Sequence, residues 1–109
     1  MTKLVKKFLP VIKNYKKLSK EEKSKYLKNT SFAKCVCEIC INLIKGVVPI
    51  KEAHKQKLRR HSNIIRKLTR KIKKKNFNNK KKVIQTGGAF LPLLFSIVAP
   101  ILTKLISGQ

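Results

Sequence analysis

Three groups of residues have types and spacings that could do chemistry. The first is Cys35-Val36-Cys37-Glu38-Ile39-Cys40, with His54 and His61 further along as available imidazoles. Thiolates and imidazoles hold zinc, but a zinc site needs four ligands converging from a turn or from two elements. On a helix Cys37 and Cys40 stand three apart and Cys35 points elsewhere. The three lie inside an apolar helical pattern, where cysteine behaves as a small hydrophobe. A helical Cys-x-x-Cys also lacks the strand context of a redox motif. No metal site, and no cofactor, is expected. The only acids are Glu21, Glu22, Glu38 and Glu52. Paired carboxylates are scarce, no glycine loop of the phosphate-cradling kind is present, and the chain is not expected to be an enzyme.

The second group is a block of cations: Lys55, Lys57, Arg59, Arg60, Arg66, Lys67, Arg70, Lys71, Lys73, Lys74, Lys75, Lys80, Lys81 and Lys82, with no acid among them. Cations on a helix can lie along a phosphate backbone, and each phosphate neutralised releases counterions. These residues are the expected nucleic-acid contacts, sequence-independent because nothing in the block suggests reading of bases. Phe77 is the one aromatic in it, so a stacking platform for single strands is not expected.

The third group is the seam Gly87-Gly88-Ala89, between the last lysine run and an uncharged tail. Two glycines can serve as a hinge. From Ala89 to Leu102 no residue is charged, somewhat short of the about 20 apolar residues that a spanning helix needs. Phe90, Leu91, Leu93, Leu94, Phe95, Ile97, Val98, Ile101 and Leu102 are its candidate membrane contacts. Pro92 comes early, where a helix tolerates it, while Pro100 comes late and should kink it. Marginal insertion into a membrane is the expectation, with folding back as core against residues 32–43 as the alternative.

Composition sets the frame for all three. The chain has 109 residues with 28 Lys and Arg against 4 acids, a formal net charge of +24, and 42% hydrophobic residues. Such self-repulsion favours a polyanionic partner, nucleic acid first and an anionic membrane surface second. The N-terminal stretch is too often interrupted by Lys, and by Pro10, to be a secretory signal. An odd, clustered set of three cysteines fits the cytosolic or nuclear side.

The elements that must position these groups read as all-α. Leu4, Val5, Phe8, Leu9, Ile12, Tyr15 and Leu18 recur at helical spacing, with Pro10 expected to kink or restart the helix. Ser19 and Glu22 stand in the capping-box relation and start a short helix to about Leu27. Phe32, Val36, Ile39, Cys40 and Leu43 share one face of the best candidate for a buried helix, with Gly46 at its C-terminus. One long basic helix is predicted over residues 51–75, with Ala53, Leu58, His61, Ile65, Leu68 and Ile72 as a narrow apolar stripe. The organisation expected is a small helical segment (1–46), the basic helix (47–75), a flexible basic linker with the double glycine (76–88) and a hydrophobic helical tail (89–109).

Ile84-Gln85-Thr86-Gly87-Gly88 before a hydrophobic segment is similar to the sites cut by adenovirus-type maturation proteases, which prefer an apolar residue upstream of Gly-Gly. In that pattern the apolar residue stands three before the last glycine, where this chain has Gln85, with Ile84 one further out. The succession "CINLIKGVVPI", "KQKLRRHSNIIRKL", a lysine run and "IQTGGAFLPLL" resembles small basic proteins of Maverick or Polinton elements and related adintovirus-like genomes. Those proteins are compared with the adenovirus precursor of core peptide X (mu) and with its membrane-lytic protein VI. The resemblance covers residues 40–94. It implies a minor virion or core component, in the virion and the host nucleus, that binds and condenses packaged DNA. It also implies a maturation protease and capsid proteins as partners, cutting after Gly88, and a membrane-active product from Ala89 onward. A cut there leaves a fragment of charge +23, from 27 basic residues less 4 acids, and a 21-residue peptide whose one charged side chain is Lys104. The alternative reading is a tail-anchored membrane protein whose basic region lies on anionic lipid.

Overall fold

The structure, a computed structural model, describes residues 3–70 and 77–107. Within them the chain is all-α: α1 (Lys3–Asn14) with a 3-10 turn after it (Tyr15–Lys17), α2 (Lys20–Leu27), α3 (Thr30–Ile44), α4 (Glu52–Arg59), α5 (Ser62–Thr69), α6 (Phe77–Thr86) and α7 (Phe90–Ser107). No strand occurs among the described residues.

The helix ends follow local chemistry. Ser19 Oγ accepts from the Glu22 N–H at 3.1 Å, and Glu22 Oε1 accepts from the Ser19 N–H at 3.4 Å, so the capping box that opens α2 is present. Asn29 caps α3 by accepting from the Phe32 N–H at 3.1 Å. Gly46, with φ +78°, ends α3 in the left-handed conformation that a side chain disfavours. Pro10 and Pro100 lie inside α1 and α7, and both helices run through them. Each proline removes one donor, freeing the carbonyls of Lys6 and Ser96. Lys6, Pro10, Ser96 and Pro100 are all exposed, so the lost bonds fall on the water side.

α3 and α7 supply the centre. Phe32, Ala33, Cys35, Val36, Cys37, Ile39 and Cys40 of α3 are buried, more than the one face its periodicity predicts, because α1, α5 and α6 cover it from different sides. Leu43 of that face is half-buried. An aromatic cluster joins four helices. Phe32 meets Phe8 of α1 at 5.3 Å, Tyr26 of α2 at 5.5 Å and Phe95 of α7 at 5.9 Å, and Tyr15 meets Phe95 at 5.1 Å. Edge contacts of this kind add about 0.5–1.5 kcal/mol each beyond the area they bury.

The tail folds back. Of its candidate membrane contacts, Phe90, Leu91, Leu94, Phe95, Ile97, Val98 and Leu102 are buried, and Leu93 and Ile101 are half-buried against the same core. Among the described residues no single helix is long and apolar enough to cross a membrane. Residues 79–86 and 90–106 reach the necessary length and composition only as a pair bent by 92°.

Two expected elements differ. Within the described residues, the single basic helix predicted over residues 51–75 is two helices, broken at Arg60–His61 without proline or glycine. Its part from 71 to 75, with Ile72 of the predicted stripe, lies outside the described residues. A straight helix could not set its stripe on two neighbours at once. The break lets α4 meet α7, where His61 lies 5.6 Å from the Phe90 ring, while α5 packs on α3 and α6. The predicted linker, in turn, contains α6, whose Ile84 is buried. α6 is fixed by Lys81 Nζ donating to Thr30 Oγ1 at 3.2 Å and by Gln85 Nε2 donating to the Leu27 carbonyl at 3.3 Å.

Candidate nucleic-acid interface and the glycine turn

Burial of a cation costs several kcal/mol unless it is paired, and the fold avoids it. Among the described residues no charged or polar side chain is buried. Lys55, Lys57, Arg59 and Arg60 on and just after α4, and Arg66, Lys67 and Arg70 on and just after α5, are all exposed. Lys71, Lys73, Lys74 and Lys75 lie outside the described residues. Lys82 is exposed, whereas Lys80 and Lys81 are half-buried against α3. The described part of the basic block thus lies on or beside three helices, with Lys80 and Lys81 half-buried in the bundle.

The exposed cations extend beyond that block. Lys3, Lys6, Lys7 and Lys13 on α1, with Lys16 and Lys17 after it, are also on the surface. Sequence reasoning passed over these because they interrupt an apolar repeat. The signal was there, since the lysines alternate with the buried stripe Val5, Phe8 and Ile12. Arg59 pairs with Glu52 at 3.6 Å, with both side chains well exposed. A pair of that kind holds a cation loosely, at about 0–1 kcal/mol.

The double glycine is a tight turn. Gly88 has φ +54°, with nothing near the place a Cβ would occupy. At Gly87 a Cβ would lie 3.1 Å from the Val83 carbonyl oxygen and 3.7 Å from Ile64 Cδ1. The Gly87 N–H donates to the Ile84 carbonyl at 3.4 Å and the Phe90 N–H to the Gly87 carbonyl at 3.1 Å. Each glycine therefore has its own reason: one for close approach, the other for backbone sign. Gly87 is half-buried, and Gly88 and Ala89 are exposed. Gly88→Ala is expected to destabilise the protein by about 1 kcal/mol, through the left-handed conformation alone. Denaturant unfolding checks this, and wild-type stability in the variant would refute the turn geometry.

The cysteines are core. Cys35, Cys37 and Cys40 are buried free thiols. Among the described residues no three His, Cys, Asp or Glu side chains are grouped to hold a metal ion. His61 packs on Phe90, and Nδ1 of His54 is buried without a hydrogen-bond partner. Burial pushes the Cys35 thiol from its ordinary 9.0 up to about 12, with Glu38 and Cys37 adding to the rise. Burial raises Cys40 too, with Cys37 adding, and raises Cys37 against the opposing charge of Lys80. Below pH 9.0 these thiols are protonated in both folded and unfolded chains and contribute no pH dependence. Above it the unfolded chain loses protons that the folded chain keeps. Stability is therefore expected to fall from pH 9 toward 12, by up to about 1.4 kcal/mol per pH unit for each thiol. Unfolding curves at about pH 8 and about pH 10 test this, and Cys35→Ala should flatten the slope by one thiol's share. An unchanged slope in that variant would remove Cys35 as a cause.

Compared with known proteins, the chain matches no family model, no curated protein and no solved structure.

Proposed function

We propose that this chain is a virion core protein that binds and condenses DNA without regard to sequence, and that cutting after Gly88 frees α7 as a membrane-active peptide. The observation that carries this reading is the placement of charge. An apolar helical core is wrapped in cations, 28 against 4 acids along the chain, and none of those in the described residues is buried. Such a surface gains free energy by displacing counterions from closely spaced phosphates, on any duplex alike. DNA is chosen over RNA on the resemblance to the core proteins of Maverick-type elements.

The fate of α7 follows from its burial. In the intact chain its apolar face is covered by α1, the 3-10 turn after it and α4, with Phe95 against Phe32 of α3, so little of it is left to offer a bilayer. A protease groove takes an extended substrate, whereas Gly87-Gly88 is folded into a turn. Processing then requires local opening of that turn, and its consequence is release of the central helix. DNA binding belongs to the folded form, and membrane perturbation to the freed peptide.

Fluorescence anisotropy with two duplexes of equal length and unrelated sequence tests the first half. Equal affinity is expected, and a marked preference for either duplex, or for RNA of the same length, rejects it. Flotation with anionic vesicles tests the second. Intact protein should leave the vesicles in high salt, while the peptide 89–109 should stay. Retention of intact protein in high salt would favour the tail-anchored reading instead.

A further inference from the structure

Beside the cationic surface lies a feature that phosphate binding does not use. A groove of about 750 Å³ opens between the end of α3, the segment after it, and the α4–α5 pair. That volume is in the range of about 300–1,000 Å³ typical of binding clefts. One wall is apolar: Leu43, Ile44, Val48, Pro49 and Ile50. The opposite wall carries Lys55, Arg59 and Arg66, with Leu58 and Ile65 between them, and no acid is among the residues lining the groove. Ile44, 64% exposed, and Val47, 50% exposed, stand out as large hydrophobics left in water at this edge. An exposed apolar patch rimmed by cations marks an interaction site.

The charge on the second wall selects the occupant. A second copy of this chain brings its own +24 and is repelled. The phosphates of a duplex would pair with the cations but leave the apolar wall wet. A single anionic headgroup would need the cations clustered. Here Lys55 and Arg59 stand one turn apart on α4 and Arg66 stands on α5 beyond the break at Arg60–His61, so two elements present them. A helix with an apolar stripe and acids along one flank offers the matching pattern of apolar and acidic groups.

We infer that this groove is a docking site for an acidic amphipathic helix of a partner protein, its apolar stripe on Leu43, Ile44 and Ile50 and its carboxylates on Lys55, Arg59 and Arg66. The Glu52–Arg59 pair, exposed on both sides, opens to let Arg59 take the partner's carboxylate. Because the three cations also face solvent as candidate phosphate contacts, partner and DNA compete for them.

The test uses the full chain and a labelled peptide of about 16 residues, with Leu at i, i+3, i+4 and i+7 and Glu flanking that stripe. Its control has the same number of Glu and Ser in place of Leu. One-to-one binding of the first, much tighter than the control, is expected. Ile44→Ser with Val47→Ser, which leave the charge unchanged, should weaken it by at least about tenfold. These positions are exposed, so circular dichroism should show the fold retained. Arg66→Glu should weaken it more than Lys57→Glu, which lies outside the groove. Duplex DNA affinity should be unmoved by the Ile44 and Val47 changes, which separates failure of this site from failure of the DNA reading. Equal binding of the two peptides, or wild-type binding by the Ile44/Val47 variant, overturns the site. Tighter occupation of the groove by dodecyl phosphate than by the peptide also overturns it, in favour of an anionic amphiphile.

Discussion

A chain ending at Gly88 is expected to lose its cooperative unfolding transition and most of its helical circular dichroism. Among the described residues α7 supplies seven of the 22 buried hydrophobic side chains of the core: Phe90, Leu91, Leu94, Phe95, Ile97, Val98 and Leu102. At about 1.5–3 kcal/mol for each large side chain fully buried, their removal costs about 10–20 kcal/mol. A domain's whole net stability is about 5–15 kcal/mol. The loss reaches the partners as well, since Tyr15 and Phe32 lose their ring contacts with Phe95. Thermal melts of residues 1–88 beside the full chain measure this directly. A truncated chain that melts cooperatively at the same temperature would mean that α7 is not core. Loss of the transition would also mean that a protease cutting at the turn dismantles the bundle, so that processing converts the folded form into a basic chain and a free apolar helix.

The second large effect is on DNA. Affinity for duplex DNA is expected to fall about 10³- to 10⁵-fold between about 50 and 200 mM salt, the consequence of about 6–10 neutralised phosphates. Lys57, Arg60 and Lys67 are exposed and lie outside the apolar groove, so they isolate the phosphate contribution. Replacing each by Ala should lower the slope of log K against log salt by about 1. Because Lys6, Lys13 and Lys16 of the α1 region are equally exposed, their removal should lower the slope as well. A slope near zero, or one insensitive to all six lysines and arginines, would sink the electrostatic reading. Extending the effect to α1 separates a protein that embeds in DNA from one that touches it along a single helix.

Much of the local structure was legible. The α2 start was written in Ser19 and Glu22, and the end of α3 in Gly46, because a cap is decided by atoms three or four residues apart. The stripe Val5, Phe8, Ile12 and Tyr15 announced which side of α1 would be buried. The cations were legible as surface simply because their burial is so costly. Less legible was the break at Arg60–His61, where neither residue is a helix breaker. It lets α4 pack on α7, with His61 against Phe90, while α5 packs on α3 and α6.

By itself, then, the sequence determined the helical class, the caps, and a strongly cationic surface, all of which follow from short-range geometry and net charge. Only the tertiary structure decided that the tail is core, that the lysine run after position 76 is a docked helix, that the double glycine is a turn, and that an apolar groove lies beside the cations. An apolar stripe carries no mark of whether lipid or protein will cover it. Here the stripe of α1 and Phe32 of α3 stood ready to do so, and the contacts of Tyr15 and Phe32 with Phe95 join residues 80 and 63 positions apart, beyond the reach of any local pattern.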